Sequence, residues 1–134
     1  MLQKDGDIVE TDGVSPLFFN DVATDNYYVA IKHRNHLSVM TNVSQILNET
    51  PLTLDFSSVA TYGTNALTNV NGKLCLWAGD VNGDNIINAN DRSETWNIRN
   101  LTGYLIQDCN LNGTVDATDR SLTWNNRNTT GTVN

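Results

Sequence analysis

At 134 residues and 14.8 kDa the chain is long enough for one ordinary domain or two small ones and too short for a large enzyme fold such as a barrel. Its 8 Lys plus Arg against 15 Asp plus Glu give a net charge of -7. That balance argues against nucleic acid or an anionic membrane as partner, because both require basic patches that displace counterions. The longest apolar runs, Tyr27 to Ile31 and Leu74 to Ala78, have five residues, whereas a spanning helix needs roughly 20. Membrane insertion is therefore not expected, and with a mean hydropathy of -0.36 the chain reads as soluble and globular. Met1 leads straight into the polar run QKDGD, so either a signal peptide has been removed or the chain is an excised fragment.

The acids comprise 12 Asp and 3 Glu, and Asn and Thr number 20 and 16. Short carboxylates and amides suit turns and cation-binding loops, and Thr suits strands, so a helix bundle is disfavoured. Over residues 1–77, runs rich in β-branched and aromatic residues predict strands at Asp7 to Glu10, Tyr27 to His33, Leu37 to Thr41, Leu52 to Phe56 and Lys73 to Trp77. Turn signals punctuate them at Asp5-Gly6, Asp12-Gly13, Asp25-Asn26, Tyr62-Gly63 and Asn71-Gly72. This pattern predicts an antiparallel β-sandwich, Ig-like or prealbumin-like, with Val14, Phe18, Val29, Ile31, Met40, Leu54 and Phe56 in its core. The first predicted strand lies so near Met1 that the sandwich either lacks a preceding edge strand or is complete with a trimmed start. An open edge would accept a strand from a partner.

Residues 78–134 form a second unit built on a duplication. Setting 80–103 against 108–131 aligns DVNGDNIINANDRSETWNIRNLTG with DCNLNGTVDATDRSLTWNNRNTTG, and 13 of these 24 positions are identical. Each copy opens on a twelve-residue loop with oxygen-bearing residues at positions 1, 3, 5, 9 and 12 and a backbone carbonyl available at position 7. In the first loop these are Asp80, Asn82, Asp84, the carbonyl of Ile86, Asn88 and Asp91; in the second, Asp108, Asn110, Asn112, the carbonyl of Thr114, Asp116 and Asp119. Calcium takes 6 to 8 oxygens, and alternate residues of a tight loop converge on it; metals that prefer nitrogen or sulfur would call for His or Cys. Position 6 needs a sharp turn, supplied by Gly113 in the second loop and Asn85 in the first. Position 8 carries Ile87 and Val115, suited to pairing the two loops by a short β-bridge. Three carboxylates per loop would repel one another without a cation, which couples calcium to folding. Helices are expected from about Asp91 to Asn100 and from Asp119 to Asn128.

On these residues the repeat resembles the paired calcium loops of type I dockerin modules, whose units are F-hands: a calcium loop and its exiting helix, without an entering helix. The strand-like LCLW before Asp80 agrees with that. The resemblance implies two calcium ions and a protein partner, either a cohesin-like domain or a neighbouring domain of the parent protein. The chain departs from cohesin-binding members at loop positions 10 and 11, which are Ala89-Asn90 and Ala117-Thr118 here where those members commonly carry Ser or Thr, and in placing Trp96 and Trp124 where basic residues often stand. The chain as a whole also looks like C-terminal regions of large secreted or surface-attached bacterial proteins, in which a sandwich bearing a YYV-x-x-x-HRNHL segment, Tyr27 to Leu37 here, precedes such a repeat. That implies an extracellular or bacterial cell-surface location and an accessory role, in polysaccharide degradation by analogy.

Other constellations carry less. Trp96 and Trp124 fall one turn after Arg92 and Arg120 and close to Arg99 and Arg127, so a guanidinium can stack on each indole; an exposed aromatic platform for sugar or protein partners is the alternative to the favoured expectation, a core shared between the helices. His33 and His36 are expected in a hydrogen-bonded turn between strands; with Tyr27 and Tyr28 they make the alternative reading, a carbohydrate-binding or adhesive face. Asp5, Asp7, Glu10 and Asp12 read as turn chemistry, with a weak third cation site as the outside alternative. Five Asn-x-Ser/Thr patterns begin at Asn42, Asn48, Asn100, Asn112 and Asn128, as a chain this rich in Asn and Thr produces by chance. Cys75 and Cys109 are expected as free thiols slightly more than as a disulfide. Walker, GxSxG, HExxH and CxxC patterns are missing, and no catalysis is expected.

Overall fold

The computed structural model describes residues 7–133, so Asp5 and the Asp5-Gly6 turn lie outside the described residues. Within them the chain is mainly β with a small α part. β1 (Asp25–Tyr27) pairs with β4 (Gln45–Leu47), β2 (Ala30–His33) with β3 (His36–Met40), β5 (Thr68–Val70) with β6 (Lys73–Cys75), and β7 (Ile86–Ile87) with β8 (Thr129–Thr130). All four pairings are antiparallel. Between β7 and β8 stand α1 (Ala89–Asn97) and α2 (Ala117–Asn125). Among the described residues no helix is long and apolar enough to cross a membrane.

Four two-stranded ladders thus stand where a sandwich of two larger sheets was expected. Local turn chemistry accounts for much of the difference. The run expected as a strand at Leu52 to Phe56 turns instead, because the Asp55 carboxylate accepts the Ser57 N–H at 2.8 Å and the Ser57 hydroxyl at 2.6 Å. The expected first strand is reduced to a bridge between Val9 and Pro16 around Asp12, whose Oδ1 accepts the N–H groups of Val14 and Ser15, each at 2.9 Å. These bonds hold the Asp12 carboxyl down at about 2, the Ser15 hydroxyl first among them. The segment that follows lies on the surface: Val14 is 83% and Phe18 74% exposed, which removes both from the core. Val29, Ile31, Met40, Leu54 and Phe56 are half-buried. The Tyr27 to His33 run divides at Tyr28-Val29, where the chain leaves β4 and joins β3. Asn71 and Gly72, at φ 52° and 83°, make the β5–β6 hairpin by the left-handed pair that Asn-Gly favours.

β3 is the spine that joins the two parts of the molecule. Its alternate residues Leu37 and Val39, with Thr41 beyond its end, are fully buried, as period two requires of a strand with one covered face. On its other edge the Leu37 N–H donates to the Trp77 carbonyl and the Tyr62 N–H to that of Met40, at 2.9 and 2.8 Å. Chain leading into the repeat is thereby fastened to the N-terminal hairpin. Beyond it Ala78, Val81 and Cys109 form a buried cluster against which Leu122 packs. Both cysteines are free. Burial, with Asp119 and Asp108 nearby, pushes the Cys109 thiol up to about 12, so it behaves as a small apolar side chain.

Candidate metal centre

The oxygen-bearing residues of each loop are held in place by bonds to the backbone two residues on. In the first loop Asn82 Oδ1 accepts the Asp84 N–H at 3.0 Å and Asp84 Oδ1 the Ile86 N–H at 2.9 Å. In the second, Asn110 Oδ1 accepts the Asn112 N–H at 3.0 Å and Asn112 Oδ1 the Thr114 N–H at 2.8 Å. These Asx turns curl the chain within each loop and fix the side chains at alternate positions against the backbone two residues on. Asn85 and Gly113, at φ 69° and 89°, make the sharp turn at position 6.

Position 12 closes each loop onto its own beginning. Asp91 is fully buried, with Oδ1 accepting the Val81 N–H at 3.0 Å and Oδ2 the Asn88 N–H at 2.8 Å. Asp119, equally buried, accepts the Asn110 N–H at 3.0 Å and the Asp116 N–H at 2.9 Å. The same residues start the helices: Asn88 and Asp116 are N-caps, and with Asp91 and Asp119 they complete capping boxes. Each helix therefore begins two residues earlier than expected. Each also ends three residues earlier, before Asn100 and Asn128 turn left-handed at φ 69° and 68°.

The two loops differ at position 1. Both Asp108 oxygens accept backbone N–H bonds, from Asn112 at 3.0 Å and Gly113 at 2.9 Å. Asp80 Oδ2 accepts the Asn85 N–H at 3.2 Å, but Asp80 Oδ1 is buried with no partner. Burial raises the Asp80 pKa, and the charges of Asp91 and Asp84 add to that rise while the backbone N–H groups of Asn85 and Gly83 oppose it. Among the described residues no three His, Cys, Asp or Glu side chains gather as a metal-binding cluster. Each loop mixes carboxylates with amide oxygens and a backbone carbonyl, a donor set that suits a hard cation better than metals that prefer His and Cys.

Ile87 and Val115 are both fully buried, yet the loops do not pair with each other through them. β7 in the first loop pairs with β8, which follows α2, while Thr114 of the second loop bridges Thr102, which follows α1. Each loop is thus closed by the segment trailing the other copy's helix. The arginines cross in the same way: Arg92 lies over Trp124 and Arg120 over Trp96, each with its guanidinium carbon 4.5 Å from the ring centroid. The i, i+4 pairs Arg92–Trp96 and Arg120–Trp124 are thus exchanged between the helices, while Arg99 over Trp96 and Arg127 over Trp124 stack within a copy, and the indoles stay part-exposed instead of forming a core.

No protein-family model matches the chain, and neither does any curated protein or solved structure.

His33 and His36 face each other across the two-residue β2–β3 turn, with their Nδ1 atoms 2.8 Å apart and rings edge-on. Burial, then the neighbouring His33 and Arg34, hold His36 down at about 3, so it is neutral at pH 7. Burial and Arg34 lower His33 as well. Tyr28 is exposed and the half-buried Tyr27 donates its hydroxyl to the Ala23 carbonyl at 2.9 Å. The tyrosines precede β2 and the histidines end it, about 16 Å of strand apart, so they do not form one compact pocket. A cleft of about 280 Å³ instead places Lys32, His33, Arg34 and His36 opposite Asp80 and Asp84 of the first loop.

Asn35, at the tip of that turn, is a site residue that sequence reasoning passed over. It is fully buried, and its Nδ2 donates to the carbonyls of Ile106 at 2.6 Å and Asp108 at 2.8 Å. Its own carbonyl accepts the Gly79 N–H at 2.9 Å. One residue therefore fastens the starts of both loops, the second by its side chain and the first by its backbone. Only a turn was legible there, because these partners are far along the chain.

Proposed function

We propose that the chain is a noncatalytic extracellular module that binds two calcium ions, one per loop, and serves to anchor or assemble a larger secreted protein through a protein partner. On this reading the repeat is a dockerin-like pair of F-hands and the ladders around β3 are a reduced β-sandwich that buttresses it. Asp80, Asn82, Asp84, the Ile86 carbonyl, Asn88 and Asp91 would hold one ion, and Asp108, Asn110, Asn112, the Thr114 carbonyl, Asp116 and Asp119 the other. A bound ion would supply positive charge beside the carboxylates of each loop and tie the loop to its helix. The observation that carries the reading is the buried, partnerless Asp80 Oδ1: an anionic oxygen withdrawn from water costs several kcal/mol unless a cation or hydrogen bond answers it.

Thermal melts of chelator-treated protein test this. Calcium at 100 times its dissociation constant should add about 2.7 kcal/mol per site, visible as a raised midpoint. Asp80→Ala combined with Asp108→Ala should abolish that rise. A midpoint indifferent to calcium in the unmutated chain would refute the reading.

A further inference from the structure

The crossed stacking leaves a distinctive surface on α1 and α2. Two guanidiniums lie over each indole: Arg99 at 4.7 Å and Arg120 at 4.5 Å over Trp96, Arg127 at 4.2 Å and Arg92 at 4.5 Å over Trp124. Trp96 remains 38% and Trp124 40% exposed. A cleft of about 130 Å³ opens between the helices, lined by Arg92, Ser93, Trp96, Asn97 and Arg120. These four arginines are half of the eight Lys and Arg in a chain of net charge -7. Among the described residues their recorded partners are the indoles and, for Arg99 and Arg127, the carbonyls of Trp96 and Trp124 at 3.3 and 2.8 Å. Carboxylates do not figure among them.

A guanidinium whose carbon lies over an indole still has N–H groups free to match a carboxylate bidentately. With two such groups over each ring, little open indole face is left for a neutral sugar to stack on. We propose that this Arg–Trp face binds an acidic segment of a partner protein, whose Asp or Glu side chains are taken by Arg92 and Arg120 beside the cleft. Charge complementarity sets the occupant: this is a basic, aromatic patch on an otherwise acidic molecule, and such patches select anionic partners and speed their encounter. The proposal deepens the assembly reading above and rests on it.

The test is fluorescence anisotropy of a labelled oligo-glutamate peptide titrated with the full chain in calcium, at low and at physiological salt. Binding should weaken with salt and fall at least tenfold in Arg92→Gln/Arg120→Gln, with the calcium-dependent melt unchanged. Arg92→Lys/Arg120→Lys, which keeps the charge and loses the planar fork, should fall several-fold. Absence of peptide binding, equal binding by the Gln variant, full retention by the Lys variant, or tighter binding of a sulfated oligosaccharide would each overturn the proposal. The two readings fail separately: peptide binding without a calcium-dependent melt sinks the calcium reading, and the melt without peptide binding sinks this one.

Discussion

In the first loop the carboxylate at position 1 has one oxygen bonded and one buried without a partner, whereas in the second loop both oxygens of Asp108 accept backbone N–H groups. The turn at position 6 differs in the same sense, Asn85 standing in left-handed geometry where the second loop has Gly113. The buried Asn35 amide, moreover, braces the Asp108 carbonyl directly and touches the first loop only through the backbone at Gly79. The second loop is thus preorganised, its polar groups answered by protein. The first keeps one buried carboxylate oxygen, Asp80 Oδ1, without a hydrogen bond. Two loops with the same spacing of oxygen-bearing residues therefore differ in how fully the protein answers their carboxylates, and on the calcium reading the first would depend on the ion more than the second.

That contrast can be broken most severely at Asn35. Asn35→Ala removes the donor to the buried Asp108 carbonyl and to the part-buried Ile106 carbonyl and should cost about 2 kcal/mol in urea unfolding. It should also weaken calcium at the second loop more than at the first, making the loops alike. Equal stability of the variant would show that the clamp does not matter.

Acid provides a milder test at the same junction. His36 is neutral in the folded chain because its pKa is pushed down to about 3 by burial, then by His33 and Arg34. A depressed folded pKa contributes stability above the unfolded value near 6.5 and loses it as pH falls toward the folded one. Between pH 7 and pH 5 the chain should lose about 2 kcal/mol from this residue. His36→Gln should flatten that slope, and an unchanged slope would assign it elsewhere.

The smallest effect separates the loops themselves. In chelator-treated protein Asp80→Asn should raise the melting midpoint, by about 1 kcal/mol in stability, since it removes a buried charge repelled by Asp91 and Asp84. Asp108→Asn should lower it, because charge-assisted bonds to Asn112 and Gly113 are lost. Shifts of the same sign would mean that the loops are equivalent.

Much of the candidate site was legible because its chemistry is local. Asx turns reach two residues, capping boxes three, and the left-handed position 6 names its own residue types, so the loops could be written down from spacing alone. The helix bounds slipped because Asn88 and Asp116 act both as loop ligands and as N-caps, and only the first role was credited. The N-terminal half was less legible. β1, β4 and β5 are three residues long, too short to show a period, and Asp55 bends a run whose composition suggested a strand. What remained hidden is tertiary: β7 with β8, Arg92 with Trp124, and Asn35 with Asp108 are partners that no window along the chain brings together.

The most direct measurement of the central claim is a calorimetric calcium titration of the chelator-treated chain. The account predicts two ions per chain, with the first loop's ion lost in Asp80→Ala and the second's in Asp108→Ala. Heat indistinguishable from dilution in the unmutated chain would contradict it, and would leave the duplicated loops as turns that shape the helix pair and nothing more.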